Sequence, residues 1–190
     1  MQENGMIKKA LFLDRDGIIN ADIEYIYKIE DFKFVDHIFD LCTFFIEKNF
    51  LIIVITNQSG IAMGLYTEKE FLILTEWMVQ CFKDRNIPIA GVYYCPHHPE
   101  KGIGTYKAKC PCRKPAPGMI LNAQRDHNVD LSRSVLIGDK ESDIEAGGNA
   151  GVGYNVLVES RYTDQTEKSS ANLVAKNLKN AIDLLKLMNI

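Results

Sequence analysis

The sequence predicts an α/β fold: a doubly wound, mainly parallel sheet with helices on both faces, in a single domain of residues 1–190. Short apolar runs typical of buried strands alternate along the chain with segments of helical periodicity. Several of these runs end in an acidic or hydroxyl side chain. The chain has 190 residues, of which 46% are hydrophobic, and this is enough to form one buried core.

Five apolar runs are predicted to be strands of this sheet. Each is short and rich in branched or aromatic side chains, as expected of strands that are buried on both faces of a parallel sheet. In chain order they are residues 8–14, 51–56, 91–95, 134–139 and 153–159.

Helices are predicted between these strands and at the end of the chain. The clearest start is the capping box from Thr67 to Glu70, which predicts a helix over residues 68–84. Residues 17–34 are aromatic-rich without helical spacing, and they predict a small hairpin or flap. The remaining predicted helices are residues 38–46, 117–128, 142–146 and an amphipathic C-terminal helix over about 172–188.

Composition argues against several classes of function. The net charge of -3 argues against duplex nucleic acid as the main partner, because phosphate binding needs a basic surface. No apolar run approaches the ~20 residues of a membrane helix, and the N-terminus does not resemble a signal peptide. The five cysteines are an odd number, which favours a reducing cytoplasm over a disulfide framework. We expect a monomer.

Chemically active side chains fall where the predicted strands end. Because the carboxyl ends of parallel strands share one edge of a sheet, we expect these side chains to meet there. Carboxylates suit Mg²⁺, while lysine and helix N-termini neutralise phosphate. The alternative, that each acid caps the next helix, explains one such residue better than the whole set. The set is Asp14, Asp16, Thr56, Arg113, Lys114 and Asp139.

Four motifs in order carry a family resemblance. LFLDRDG, VITNQSG, CRKPAPG and LIGDKESD resemble the motifs of the haloacid dehalogenase (HAD) superfamily of phosphatases, over residues 8–150. The DRDG form, the TNQSG turn and the Cys/His loop before CRKP look more narrowly like the D-glycero-D-manno-heptose 1,7-bisphosphate phosphatases. Histidinol-phosphate phosphatases are close relatives of these.

The resemblance implies a Mg²⁺-dependent phosphoric monoester hydrolase. It would remove the 7-phosphate of a heptose 1,7-bisphosphate in the synthesis of nucleotide-activated heptose for lipopolysaccharide or capsule. Its partner would be a small phosphorylated sugar. Histidinol-phosphate hydrolysis and a non-catalytic zinc-binding scaffold are the alternatives.

The resemblance also implies a role for each motif residue. Asp14 would be the nucleophile that forms an aspartyl-phosphate, and Asp16 the general acid and base. That role leads us to expect that the neighbouring like charge raises the pKa of Asp16. Asp143 is expected to orient other side chains rather than bind metal. The phosphoryl oxygens would be held by Thr56, Arg113 and Lys114. The Mg²⁺ ligands would be Asp14, Asp139 and the backbone carbonyl of Asp16.

Small loops are expected to select the substrate, because the chain has no room between its motifs for a separate cap domain. For Tyr25, packing on the flap is an equal alternative to sugar contact, and for Lys140 the alternative is a solvated loop lysine. The expected substrate-binding residues are Asp22, Tyr25, Asn57, Gln58, Ser59 and Lys140.

A second metal site is predicted in residues 95–112. Three sulfurs and one nitrogen form a closed ligand set typical of structural Zn²⁺. His98 is a rival to His97, and free or disulfide-paired cysteines are the alternative to zinc. The predicted ligands are Cys95, His97, Cys110 and Cys112.

The zinc loop runs directly into the basic pair of the third motif. Cys112 adjoins Arg113 and Lys114 in the sequence. We therefore hypothesise that zinc serves catalysis indirectly, by fixing the backbone that aims Lys114 at the phosphate.

Overall fold

The computed structural model describes residues 7–160 and 169–188. Within them, six parallel strands form one sheet in the order β3-β2-β1-β4-β5-β6. The strands are β1 (Lys9–Leu13), β2 (Phe50–Asn57), β3 (Ile89–Cys95), β4 (Val135–Gly138), β5 (Tyr154–Val158) and β6 (Leu173–Ala175). The helices are α1 (Ile38–Glu47), α2 (Ser59–Ala62), α3 (Glu68–Lys83), α4 (Gly118–His127), α5 (Glu141–Ala150) and α6 (Leu178–Leu187).

Helices cover both faces of the sheet. Successive residues of a strand point to opposite faces, and both sets of side chains are apolar. In β1, Leu11 and Leu13 pack against α1, α3 and α6, whereas Ala10 and Phe12 pack against α4 and α5. This confirms the predicted doubly wound architecture. No further folded unit interrupts residues 7–160.

The register of the central strands determines where the site forms. Leu13 of β1 pairs with Val54 of β2 on one side and with Ile137 of β4 on the other. The chain winds from β1 out to β3 and then returns to place β4 on the opposite side of β1. The carboxyl ends of β1 and β4 therefore flank the point where the strand order reverses, which is where α/β sheets bind ligands.

The capping box predicted at the start of α3 is confirmed. Thr67 Oγ1 accepts a hydrogen bond from the Glu70 amide, and the Glu70 carboxylate accepts one from the Thr67 amide. Residues 17–34 form a loop with one antiparallel bridge, Asn20 to Phe34, rather than a regular hairpin. Helix α5 extends beyond the predicted 142–146, to Ala150.

The prediction of a continuous C-terminal helix from about residue 172 is wrong at its start. Leu173–Ala175 forms β6 and pairs with β5, so that Val156 aligns with Leu173. Asn177 then caps α6, because its side chain accepts a hydrogen bond from the Asn180 amide. The edge of β5 provides hydrogen-bond partners for the backbone groups of residues 173–175. Helical periodicity in the sequence gives no information about the presence of that edge.

The described residues do not extend over the whole predicted domain. Residues 1–6, 161–168 and 189–190 of the predicted 1–190 unit lie outside them. No helix within residues 7–160 and 169–188 is long and apolar enough to cross a membrane.

Candidate active site

Three aspartates meet at the carboxyl edge of the sheet. One carboxylate oxygen from each of Asp14, Asp139 and Asp143 lies within 4.8 Å of the others, and all three residues are buried. Asp14 follows β1, Asp139 follows the neighbouring β4, and Asp143 lies in the first turn of α5. Strand pairing thus brings Asp14 next to two aspartates that lie more than a hundred positions later in the chain.

Asp139 has the environment of a metal ligand. Both of its carboxylate oxygens are buried without a hydrogen-bond partner among the described residues. Burial raises the pKa of Asp139 to about 8, and the negative charge of Asp14 contributes to this rise. Gly17, at φ +99°, lies so close that a Cβ there would overlap the Asp139 carboxylate. A buried carboxylate without donors needs a cation to stay ionised, so this acidic cluster fits a divalent metal.

Lys114 is the buried counterion of the cluster. Its Nζ lies 2.7 Å from Asp14 Oδ1 and 2.6 Å from Asp143 Oδ1, and it donates to the Ile55 carbonyl at 3.0 Å. Burial alone would lower the pKa of Lys114, but the two carboxylates outweigh it and raise the pKa. The Asn57 side chain exchanges two 3.1 Å hydrogen bonds with the Lys114 backbone and so fixes its peptide.

Asp16 is held by side chains from three segments. The Arg15 guanidinium donates to both oxygens, at 2.9 and 3.0 Å, and Asn20 and Gln58 each donate at 3.0 Å. Burial would raise the pKa of Asp16, but these donors outweigh it and lower the pKa. The expectation that a like charge raises the pKa of Asp16 is therefore wrong. Asp14 is the residue with the raised pKa: burial raises the pKa of Asp14 to about 6.

Sequence reasoning missed Arg15 and Asn20 as parts of the site. Arg15 is 1% exposed, and its guanidinium lies 5.5 Å from the centroid of the Phe71 ring. A charged residue is rarely buried without a partner, and an arginine between two aspartates already has partners of opposite charge. That sequence feature could have identified Arg15, whereas Asn20 carries no comparable local signal.

A cavity of about 470 Å³ opens beside the aspartates. Its walls come from the flap, from the turn after β2 and from the basic residues around the third and fourth motifs. All six residues expected to bind substrate line it: Asp22, Tyr25, Asn57, Gln58, Ser59 and Lys140. Arg113 and Lys114 line it as well.

Several of these residues also contact one another. Tyr25 lines the cavity and is 43% exposed there. Lys140 Nζ lies 3.3 Å from Asp22 Oδ2, so this lysine joins α5 to the flap rather than extending into solvent. Gln58 is buried and donates to Thr56 Oγ1 at 2.8 Å. Gln58 thus links the predicted phosphate ligand Thr56 to Asp16.

The four predicted zinc ligands converge. One donor atom from each of Cys95, His97, Cys110 and Cys112 lies within 4.8 Å of the others. Cys95 Sγ and His97 Nδ1 are 3.8 Å apart, close to the roughly 3.6 Å edge of a tetrahedral zinc site with one sulfur and one nitrogen ligand. All five cysteines of the chain are unpaired, which argues against the disulfide alternative.

His98 is engaged elsewhere, and Arg113 joins the zinc loop to the cavity. His98 Nδ1 accepts hydrogen bonds from the Glu100 and Lys101 amides, and the converging donor set includes His97 rather than His98. Arg113 Nη1 donates to Ser59 Oγ at 2.8 Å and to the His97 carbonyl at 3.1 Å. The loop that carries the four donor atoms is therefore bonded directly to the turn after β2.

Comparison with known proteins places this chain among phosphatases. A family model described as HAD-hydrolase-like matches residues 111–181. The D-glycero-alpha-D-manno-heptose-1,7-bisphosphate 7-phosphatase of Burkholderia mallei is 48% identical over 180 residues, 95% of each chain. The corresponding beta-heptose enzyme of Yersinia pestis is 46% identical over 149 residues, 78% of this chain and 79% of that one.

A solved structure agrees with these relatives. The D,D-heptose 1,7-bisphosphate phosphatase of B. bronchiseptica, complexed with magnesium and phosphate, superposes with a TM-score of 0.80 at 25% identity. The match covers 95% of this chain and 99% of that chain.

Proposed function

This chain belongs to the family of HAD-like heptose-1,7-bisphosphate 7-phosphatases, and we propose that it hydrolyses the 7-phosphate of a D-glycero-D-manno-heptose 1,7-bisphosphate. The reaction is a step in the synthesis of nucleotide-activated heptose for lipopolysaccharide or capsule. The observation that carries the proposal is the meeting of Asp14, Lys114 and Asp139 at one strand edge, beside an open polar cavity.

In this proposal Asp14 and Asp16 divide the chemistry between them. Asp14 attacks phosphorus, the bond from phosphorus to the C7 oxygen breaks, and an aspartyl-phosphate forms on Asp14. Asp16 gives a proton to the leaving alkoxide and later takes one from the water that hydrolyses the aspartyl-phosphate. The charge of Arg15 and the hydrogen bonds lower the pKa of Asp16, so its carboxylate is ionised and able to accept a proton in the base step. The negative charge of bound substrate raises the pKa of a neighbouring carboxyl, which favours the acid step.

Positive and polar groups hold the transferring phosphoryl group. Lys114 is fixed by two carboxylates and by the Ile55 carbonyl, so it stays charged and oriented at the nucleophile. Thr56 is oriented by Gln58. Preorganised donors of this kind stabilise charge that develops in the transition state. Arg113 and Lys140 supply further positive charge on the cavity wall.

The acidic cluster is proposed to bind Mg²⁺ through Asp14, Asp139 and the backbone carbonyl of Asp16. The two unpartnered oxygens of Asp139 support this assignment. Asp143 is proposed to orient rather than ligate, since its oxygens pair with Lys114 Nζ and with the Lys140 amide. When bound, Mg²⁺ would neutralise negative charge on the phosphate and on the nucleophile.

The Cys₃His cluster is proposed to bind a structural Zn²⁺. Its four donors leave no open position for catalysis. A cytoplasmic location is part of the same proposal, because unpaired, clustered cysteines persist in a reducing compartment. We also propose that residues 1–190 act as one domain and a monomer, without nucleic-acid or membrane partners.

One assay tests the function directly. Phosphate release is measured from both heptose 1,7-bisphosphate anomers, histidinol phosphate and a generic aryl phosphate, with Mg²⁺ present. The proposal expects the highest kcat/KM on a heptose bisphosphate. Asp14→Asn is expected to abolish release from every substrate, because it removes the nucleophile. Preferred hydrolysis of histidinol phosphate would overturn the substrate assignment, and turnover by Asp14→Asn would overturn the mechanism.

A further inference from the structure

We infer that Tyr66 is a positioning residue for leaving-group protonation: its hydroxyl orients the Gln58 amide, and that amide orients Asp16. The inference rests on the proposed phosphatase function, because it assigns Asp16 the role of general acid. Tyr66 itself follows the short helix α2 and belongs to none of the four motifs.

The hydrogen bonds run in a chain from the phenol to the acid. Tyr66 Oη donates to Gln58 Oε1 at 2.6 Å. The Gln58 amide nitrogen then donates to Asp16 Oδ2 at 3.0 Å and to Thr56 Oγ1 at 2.8 Å. An amide whose oxygen is held by the phenol must turn its NH₂ group toward Asp16 and Thr56. Tyr66 thus determines which end of the Gln58 side chain faces the reaction.

The surroundings of Tyr66 hold the ring in place. Tyr66 is 5% exposed, and its ring stacks on Tyr27 with centroids 5.4 Å apart and planes within 13°. Gly60 lies directly against the ring, and a Cβ at that position would overlap it. Burial raises the pKa of Tyr66, so the phenol stays protonated and can donate. The packed ring therefore holds the Tyr66 hydroxyl in a fixed position against Gln58.

A packing role for Tyr66 makes a different prediction from a positioning role. The ring also contacts the apolar cluster of Ile61 and Phe71. If only packing mattered, removal of the hydroxyl would leave activity unchanged, or would reduce it equally for all substrates. If Tyr66 orients the acid, the loss depends on how much the leaving group needs a proton. An alkoxide leaving group needs that proton, whereas a nitrophenolate does not.

The test is Tyr66→Phe, which removes one oxygen and keeps the ring. The variable measured is kcat/KM, since it includes steps up to leaving-group departure and omits hydrolysis of the aspartyl-phosphate. We expect a roughly tenfold fall on the heptose bisphosphate and a fall of less than about twofold on nitrophenyl phosphate. Tyr94→Phe is the matched control, because the Tyr94 hydroxyl contacts Glu68 at 2.9 Å instead of Gln58. It should leave both values unchanged.

A second variant tests the connection itself. Gln58→Met keeps side-chain length but removes the amide that holds both Asp16 and Thr56. Because Thr56 acts on every substrate, this variant should lower kcat/KM on both substrates, and it should lower it more on the heptose bisphosphate than on nitrophenyl phosphate. Adding Tyr66→Phe to Gln58→Met should then produce no further change, because the two residues act in series. Additive effects in the double variant, or equal falls on both substrates, would overturn the inference.

Failure of the inference and failure of the function can be told apart. A wild-type protein that releases phosphate from none of the substrates, or an active Asp14→Asn, overturns the proposed function. An active wild type whose Tyr66→Phe variant treats both leaving groups alike overturns only the role of Tyr66.

Discussion

At the scale of single residues, the site combines a carboxylate without donors and an ammonium with two carboxylates. Asp139 is buried with both oxygens unpartnered, whereas Asp143 pairs with Lys114 Nζ at 2.6 Å. Both are aspartates in the same acidic cluster. The environment of each, rather than its residue type, decides whether its charge stabilises or destabilises the metal-free protein.

Asp139→Asn is expected to make the metal-free protein more stable while abolishing Mg²⁺-dependent turnover. The change replaces a buried, donor-free carboxylate by a neutral amide, which should add about 1–3 kcal/mol to the free energy of unfolding in a chelator. The matched variant Asp143→Asn should have the opposite sign, because it removes a partner of Lys114. Urea unfolding in EDTA measures both. Destabilisation by Asp139→Asn would contradict the reading of Asp139 as a metal ligand.

At the scale of elements, the zinc loop connects two parts of the site. The loop has few apolar side chains and includes the exposed Ile103. It is tied to the turn after β2 through Arg113 and Ser59, and its last cysteine is two residues from Lys114. Structural zinc can contribute on the order of 10 kcal/mol to local order. We therefore expect the metal to set the position of Lys114 relative to Asp14.

Cys110→Ser is expected to lose zinc and to lower kcat/KM roughly 10–100-fold while the sheet stays folded. Zinc content by elemental analysis, circular dichroism and phosphate release measure the three quantities. Cys81→Ser is the matched control, since that thiol lies on α3 outside the cluster. Full activity in zinc-free Cys110→Ser would refute the positioning role of the loop.

The capping box of α3 provides a prediction about stability alone. Thr67→Ala removes the side chain that accepts the Glu70 amide, and it should lower the free energy of unfolding by about 1 kcal/mol. Phosphate release should not change, because neither residue contacts the acidic cluster. Thr43→Ala, at an exposed position inside α1, serves as the comparison and should lose nothing. An unchanged urea midpoint for Thr67→Ala would contradict the cap.

At the scale of the whole molecule, the sheet joins the site to the apolar residues packed on its two faces, and together they form one cooperative structure. The acidic cluster joins the ends of β1 and β4, the two strands that meet where the strand order reverses. Anything that binds this junction in the folded state alone stabilises the entire fold by mass action. Metal and phosphate should therefore act on global stability as well as on catalysis.

Mg²⁺ with inorganic phosphate is expected to raise the melting temperature by roughly 10–20 °C when both are present at about a hundred times their dissociation constants. EDTA should reverse the shift and stop turnover, and renewed Mg²⁺ should restore both. Differential scanning calorimetry measures the shift, and Asp139→Asn should show none of it. A Mg²⁺-dependent shift of equal size in Asp139→Asn would place the metal elsewhere.

Features that depend on local chemistry could be predicted from the amino-acid sequence. Apolar runs predicted β1 to β5, the Thr67 capping box predicted α3, and the spacing of cysteines predicted a cluster that the structure brings together. The order of acids at strand ends also placed Asp14 and Asp139 on one edge. These inferences succeed because apolar runs, helix caps and ligand chemistry are expressed within a few neighbouring residues.

Features that depend on partners far away in the sequence became apparent in the folded chain alone. β6 exists because the edge of β5 is available, the pKa of Asp16 is lowered because Arg15, Asn20 and Gln58 surround it, and Tyr66 reaches Gln58 across a tight turn. Burial and hydrogen bonding in these places come from segments whose proximity is set by packing. The neighbours of a charged side chain in the sequence therefore do not reveal whether its charge is neutralised by other side chains or by a ligand.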